Sequence, residues 1–285
     1  MPAPVEYLTI GHVTHDVLPD RSHVIGGTVS YAALTAAALQ CSVGMLTSAG
    51  EDFDFGVFRQ KVSVTCEPAP RTTTFTNTYV NGHRHQRVHG LARPLVQASI
   101  PEGWRAPKVA HIGPVIGECD PALVGSFDEG TFIGITPQGW MRSQNGDGQV
   151  HPHPWRATPE LLQRASAVVF SLDDIQGDWS VARELAALTR LLVVTMGPRG
   201  GVVFFGGNVT PFRALQVAEA DPTGAGDIFA TAFFASVASG IAPMRAAGFS
   251  ACLASRSVAR PGPSAVPGPE DVALCGELSG VASVR

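Results

Sequence analysis

A chain of 285 residues with 45% apolar content is long enough to bury one large α/β core. Its formal charge of −4 does not suggest a nucleic-acid or polyanion surface, and no apolar run reaches membrane-spanning length. Lysine occurs only at Lys61 and Lys108, neither of them in a Walker A sequence, which excludes a Walker-type phosphate loop.

No basic-then-apolar leader opens the chain, and a cytoplasmic protein is expected. The five widely spaced cysteines (Cys41, Cys66, Cys119, Cys252, Cys275) contain no CxxC pair and read as free thiols. Val5 to Ile10 reads as a first buried strand, followed by the polar segment Gly11 to Asp16 where open α/β sheets place ligands. Gly26-Gly27 leads into an alanine-rich helix through Leu39, and Ser42 to Ser48 reads as a second strand. From about 71 to 95 the texture turns β-rich, with Asn81-Gly82 between two such runs predicting a hairpin. It looks polar on both faces and so outside the main core. Its His83, Arg84, His85, Arg87 and His89 read either as a solvated face or as contacts to substrate or phosphate, and their spacing does not fit zinc.

Val109 to Ile112 and Thr131 to Ile135 read as short core strands, each ending in a loop, and 143–154 as surface loop. A helix over Pro159 to Ala165 and a strand over Ala167 to Leu172 follow, with Asp173-Asp174 at the strand's end. Leu191 to Met196 and Val202 to Phe205 flank a glycine turn, and Met244 to Val258 reads as a helix. Strands alternating with helices imply a doubly wound, mostly parallel α/β sheet.

The string Asp221-Pro222-Thr223-Gly224-Ala225-Gly226-Asp227 dominates this pattern. Asp-Pro opens a turn, two glycines let the backbone approach a ligand, and an apolar helix then runs to about Gly240. A helix start of this kind presents unpaired amides and the positive dipole end to an anion. Asp227 in the first turn would repel that anion unless it faces an attacking hydroxyl. That combination is the arrangement of a kinase acting on an alcohol.

The string closely resembles the C-terminal signature of the PfkB (ribokinase-like) family of carbohydrate kinases. The resemblance covers essentially the whole chain and implies a single ribokinase-like domain over 1–285, with a small β lid within about 71–95. It implies Asp227 as catalytic base and the Gly224, Ala225 and Gly226 amides as anion hole, with Arg142 gripping the transferred phosphate. Asp16, Gly26, Gly27 and Tyr31 fall where the family binds substrate, Tyr31 standing in place of the usual asparagine. Thr195, Gly197, Gly200, Thr223 and Gly262 fall near the nucleotide. Thr136 replaces an aspartate, and Ser171 and Asp174 replace the asparagine and glutamate that organise Mg²⁺ through water.

The implied activity is ATP- and Mg²⁺-dependent phosphorylation of a small polyol or sugar, with room for a monovalent cation such as K⁺. The motifs look most like the inositol-kinase branch, which makes myo-inositol a candidate acceptor. A nucleoside kinase, with Tyr31 stacking a base, and a non-catalytic sugar- or nucleotide-binding regulator are the alternatives. A monomer or a lid-mediated homodimer is expected, with no nucleic-acid or membrane partner.

Overall fold

A computed structural model describes residues 3–80 and 83–281. The elements run β1 (Tyr7–Ile10), β2 (Thr14–Val17), β3 (His23–Gly26), α1 (Thr28–Ala38), β4 (Val43–Ala49), β5 (Val62–Pro68), β6 (Thr73–Val80) and β7 (His83–Gly90). Then come β8 (Val109–Ile112), β9 (Phe132–Ile135), β10 (Arg142–Gln144), β11 (Val150–Pro152), α2 (Pro159–Arg164), β12 (Ala167–Ser171) and α3 (Trp179–Leu188). The last part holds β13 (Leu191–Thr195), β14 (Gly201–Phe205), β15 (Asn208–Phe212), α4 (Ala225–Ala238), α5 (Pro243–Ser257) and α6 (Pro269–Ser279).

Nine strands form the central sheet in the order β15-β14-β13-β12-β9-β8-β1-β4-β5. Pairing is parallel from β5 across to β13, and antiparallel through β14 and β15. All four residues of β1 and all seven of β4 are buried, because helices cover both faces. Alternation sorts them. Tyr7, Met45 and Val193 face a core shared with α1, α4 and α5, whereas Leu8, Leu46 and Leu192 face the opposite core with Leu162 of α2 and Leu185 of α3. This is the ribokinase-like architecture.

The second sheet, β3-β2-β6-β7, is larger than the expected hairpin. The segment following the first strand folds back as β2 and pairs parallel with β6, placing Asp16 opposite Phe75. The hairpin is not polar on both faces either, since Phe75 and Val88 are buried against Val115 of the main body. The predicted Asn81-Gly82 turn lies outside the described residues, as do the side chains of His83 and Arg84. His85 and His89 are exposed, and Arg87 donates to the Asp147 carbonyl. The 143–154 stretch, expected as loop, pairs as the short ribbon β10-β11.

Cys252 and Cys275 correct the expectation of free thiols. They form a disulfide between α5 and α6, while Cys41, Cys66 and Cys119 remain free. Their 23-residue separation carries no local signature, so only helix packing brings them together. Among the described residues no helix is long and apolar enough to cross a membrane.

Candidate active site

A cleft of about 1070 Å³ runs along the carboxyl ends of the parallel strands, beneath the small sheet. It brings together Asp16, Gly27, Tyr31, Arg142, Asp174, Thr195, Gly197, Gly200 and all of Thr223 to Asp227. Gly26 and Gly262 lie outside it. Gly26 instead backs onto Asp16, where a Cβ would fall 2.7 Å from the carboxylate.

The glycine loop is built as its sequence demands. Gly224 caps α4 at φ +80°, a conformation that side chains resist. Asp221 braces the turn, its carboxylate accepting from the Thr223 amide at 2.9 Å and the Gly262 amide at 3.3 Å. Burial pushes its carboxyl up, but the bonds from Thr223 and Gly262 outweigh this and hold it below the usual range. Gly262, expected at the nucleotide, serves as this brace. The Ala225 amide already donates to the Pro222 carbonyl at 3.2 Å, which takes it out of the expected anion hole. Among the described residues the amides of Gly224, Gly226 and Asp227 have no acceptor and remain for an anion.

Asp227 is half-buried beside these amides. Burial pushes its carboxyl up to about 6, against the pull of a Thr28 hydrogen bond and the Arg142 charge, while the Asp174 charge adds to the rise. Arg142 begins β10 and donates to Gln86 Oε1 at 3.2 Å; Gln86 in turn donates to Asn77 at 3.0 Å. The guanidinium is thereby tied to the small sheet. Asp174 accepts from the Ser171 amide at 2.9 Å and from Gln138 Nε2 at 3.0 Å.

The two ends of the cleft differ in chemistry. Thr14, Asp16, Asn77 and Gln86 make one end polar. Ala251, Ala254 and Val258 of the α5 region make the other apolar, with Leu215 and Val217, which are 43% and 41% exposed. Sequence reasoning missed Thr28, Asn77, Gln86, Leu215 and Val217. Alternation along β6 and β7 could have singled out Asn77 and Gln86, whereas nothing local marks the other three. Tyr31 is 3% exposed, its ring packed against Gly224.

Residues 160–270 match the pfkB family carbohydrate kinase model. The cytidine kinase of Thermococcus kodakarensis is 24% identical over 254 residues, covering 83% of this chain and 90% of its own. The inositol 3-kinase of Oryza sativa subsp. japonica is 28% identical over 271 residues, covering 85% and 66%. A pyrophosphate-dependent kinase in the ribokinase family, solved with a pyrophosphate analog and myo-inositol, aligns with TM-score 0.80 at 22% identity, covering 94% and 99%. The ribokinase of Thermotoga maritima aligns with TM-score 0.73 at 16% identity, covering 96% and 99%.

Proposed function

We propose that this chain, a phosphotransferase with a hydroxyl acceptor, is a carbohydrate kinase of the pfkB type that phosphorylates a small polyol of the inositol type from ATP. The observation that carries this reading is Asp227, a carboxyl with pKa about 6 beside free helix amides and Arg142, in a cleft whose polar end suits hydroxyls. Asp227 accepts the proton of the acceptor hydroxyl as its oxygen attacks the γ-phosphorus. The bond between that phosphorus and the β-phosphate bridging oxygen breaks, and ADP leaves. The amides of Gly224, Gly226 and Asp227, with the Arg142 guanidinium, stabilise charge on the group in transit.

Asp16, Asn77 and Gln86 hold the polyol, and the small sheet acts as a lid that carries them onto it. The apolar ledge of Leu215, Val217, Ala251, Ala254 and Val258 seats a nucleobase. Pyrophosphate would leave that ledge unused, which favours ATP. Asp174 fits a Mg²⁺ ion bound through water, because each carboxylate oxygen accepts one protein hydrogen bond and keeps a lone pair. When bound, the ion neutralises phosphate charge. The burial of the Tyr31 ring against Gly224 disfavours a base stacked on it.

The test is phosphorylation by purified protein of myo-inositol, common sugars and nucleosides, each with ATP and with pyrophosphate. Highest kcat/KM on a polyol with ATP is expected. A nucleoside preferred over every polyol, or pyrophosphate over ATP, would overturn the corresponding half of the reading.

A further inference from the structure

Beneath the cleft floor runs a buried polar chain that no sequence motif marks. Tyr7 of β1 and His111 of β8 share one face of the central sheet, and Thr136 follows β9 at the cleft. The Tyr7 hydroxyl lies 3.0 Å from His111 Nδ1, and His111 Nε2 lies 3.0 Å from Thr136 Oγ1. Phe234 of α4 stands edge-on to the imidazole at 5.0 Å between ring centres, and both Tyr7 and His111 are shut away from water.

The direction of the chain follows from what each group must do. A buried hydroxyl needs a hydrogen-bond partner. Among the described residues His111 Nδ1 is the partner at hydrogen-bond distance from the Tyr7 hydroxyl, and the Thr231 hydroxyl flanks the phenol. A Tyr7 hydroxyl donating to Nδ1 puts the lone pair there and the proton on Nε2. Burial holds the imidazole down to about 3, so the ring stays neutral. In that tautomer Nε2–H donates to Thr136 Oγ1, and the Thr136 hydrogen has no protein acceptor among the described residues at the cleft wall, where the residue is 8% exposed.

We propose that Thr136 donates a hydrogen bond to a ligand oxygen at the point where alcohol and phosphoryl group meet, and that Tyr7 and His111 are positioning residues that fix its direction. The location follows from Gly113, where a Cβ would lie 3.0 Å from Thr136 Oγ1 and 3.1 Å from Thr28 Cβ. Thr28 is the residue whose side chain pulls the Asp227 carboxyl down. Successive donors pointing the same way polarise one another, which strengthens the last. The kinetic consequence rests on the phosphotransfer reading above; the tautomer does not.

The experiment therefore has two arms. Nitrogen NMR of His111 in the unliganded protein should show the Nε2–H tautomer, and Tyr7→Phe should release it. In kinetics, Thr136→Val should lower kcat/KM by about 3- to 10-fold and Thr136→Ser should restore most of it. Tyr7→Phe should give a comparable loss alone and none further in the Thr136→Val background. A raised KM for the alcohol places the contact on the alcohol oxygen, and a lowered kcat places it on the phosphoryl group. An Nδ1–H tautomer in the wild type overturns the relay, and so do additive losses in the double variant. If no alcohol is phosphorylated at all, the functional reading falls while the tautomer still decides the relay.

Discussion

The ring of Tyr31 fills the space in which any side chain at position 224 would have to sit. A Cβ on Gly224 would fall 2.3 Å from Tyr31 Cδ1, and the same glycine holds φ +80°. The aromatic residue of α1 thus sets the height of the anion-binding loop at the start of α4, coupling two motifs nearly two hundred positions apart.

Gly224→Ala should therefore be doubly penalised, by backbone strain and by collision with Tyr31. A stability loss of about 1–3 kcal/mol is expected from the backbone alone, with a raised KM for the phosphate donor. Tyr31→Ala should destabilise by roughly 3–5 kcal/mol and impair polyol and nucleoside phosphorylation alike. Thermal melts and paired KM measurements check both. Selective loss of nucleoside activity in Tyr31→Ala would restore a stacking role for this ring.

Asp227→Asn should lower kcat by roughly 10²–10⁴ with ATP binding kept. In the wild type, kcat/KM should fall as pH drops below about 6, where the carboxyl takes its proton. The stability effect has the opposite sign. With the folded carboxyl raised above its unfolded value, the native protein binds this proton more tightly, so ionised Asp227 opposes folding above pH about 6 and ceases to as pH falls. Asp227→Asn should accordingly raise Tm at neutral pH. A lowered Tm there would show that the carboxylate is fully compensated.

Arg142→Gln should reduce kcat roughly 10²-fold, the scale for losing one charge-stabilising donor. It should also move the acid limb of the pH profile upward, because the guanidinium charge holds the Asp227 carboxyl down. Gln86→Leu, which removes the tether at 3.2 Å but keeps the charge, should cost far less and leave the limb in place. An acid limb unmoved in Arg142→Gln would separate the two groups electrostatically.

Reducing the Cys252–Cys275 disulfide should lower stability by about 2–4 kcal/mol, as expected for closing a loop of this size. Cys252→Ser should reproduce the loss and make the protein indifferent to reductant. An identical Tm with and without reductant would show that the bond does not form in solution.

Much of this protein could be read along the chain. Hydrophobic runs located the strands β1, β4, β8, β9, β12 and β13 to within a residue or two, because a strand covered on both faces is mostly apolar along its length. Glycine at 224 and the carboxylate at 227 were legible for a similar reason, since a left-handed turn and a helix start leave few residue choices. Residues whose roles depend on distant partners were not. Nothing near Asp16 shows that it pairs with β6, nothing near Thr28 that its hydroxyl reaches Asp227, and nothing near Cys252 that Cys275 lies within bonding distance. Local sequence determines backbone conformation and burial, which act within a few residues. The raised carboxyl of Asp227, the buried Tyr7–His111–Thr136 chain and the seat of Tyr31 under Gly224 come from contacts across the sheet, and only the tertiary fold decides those.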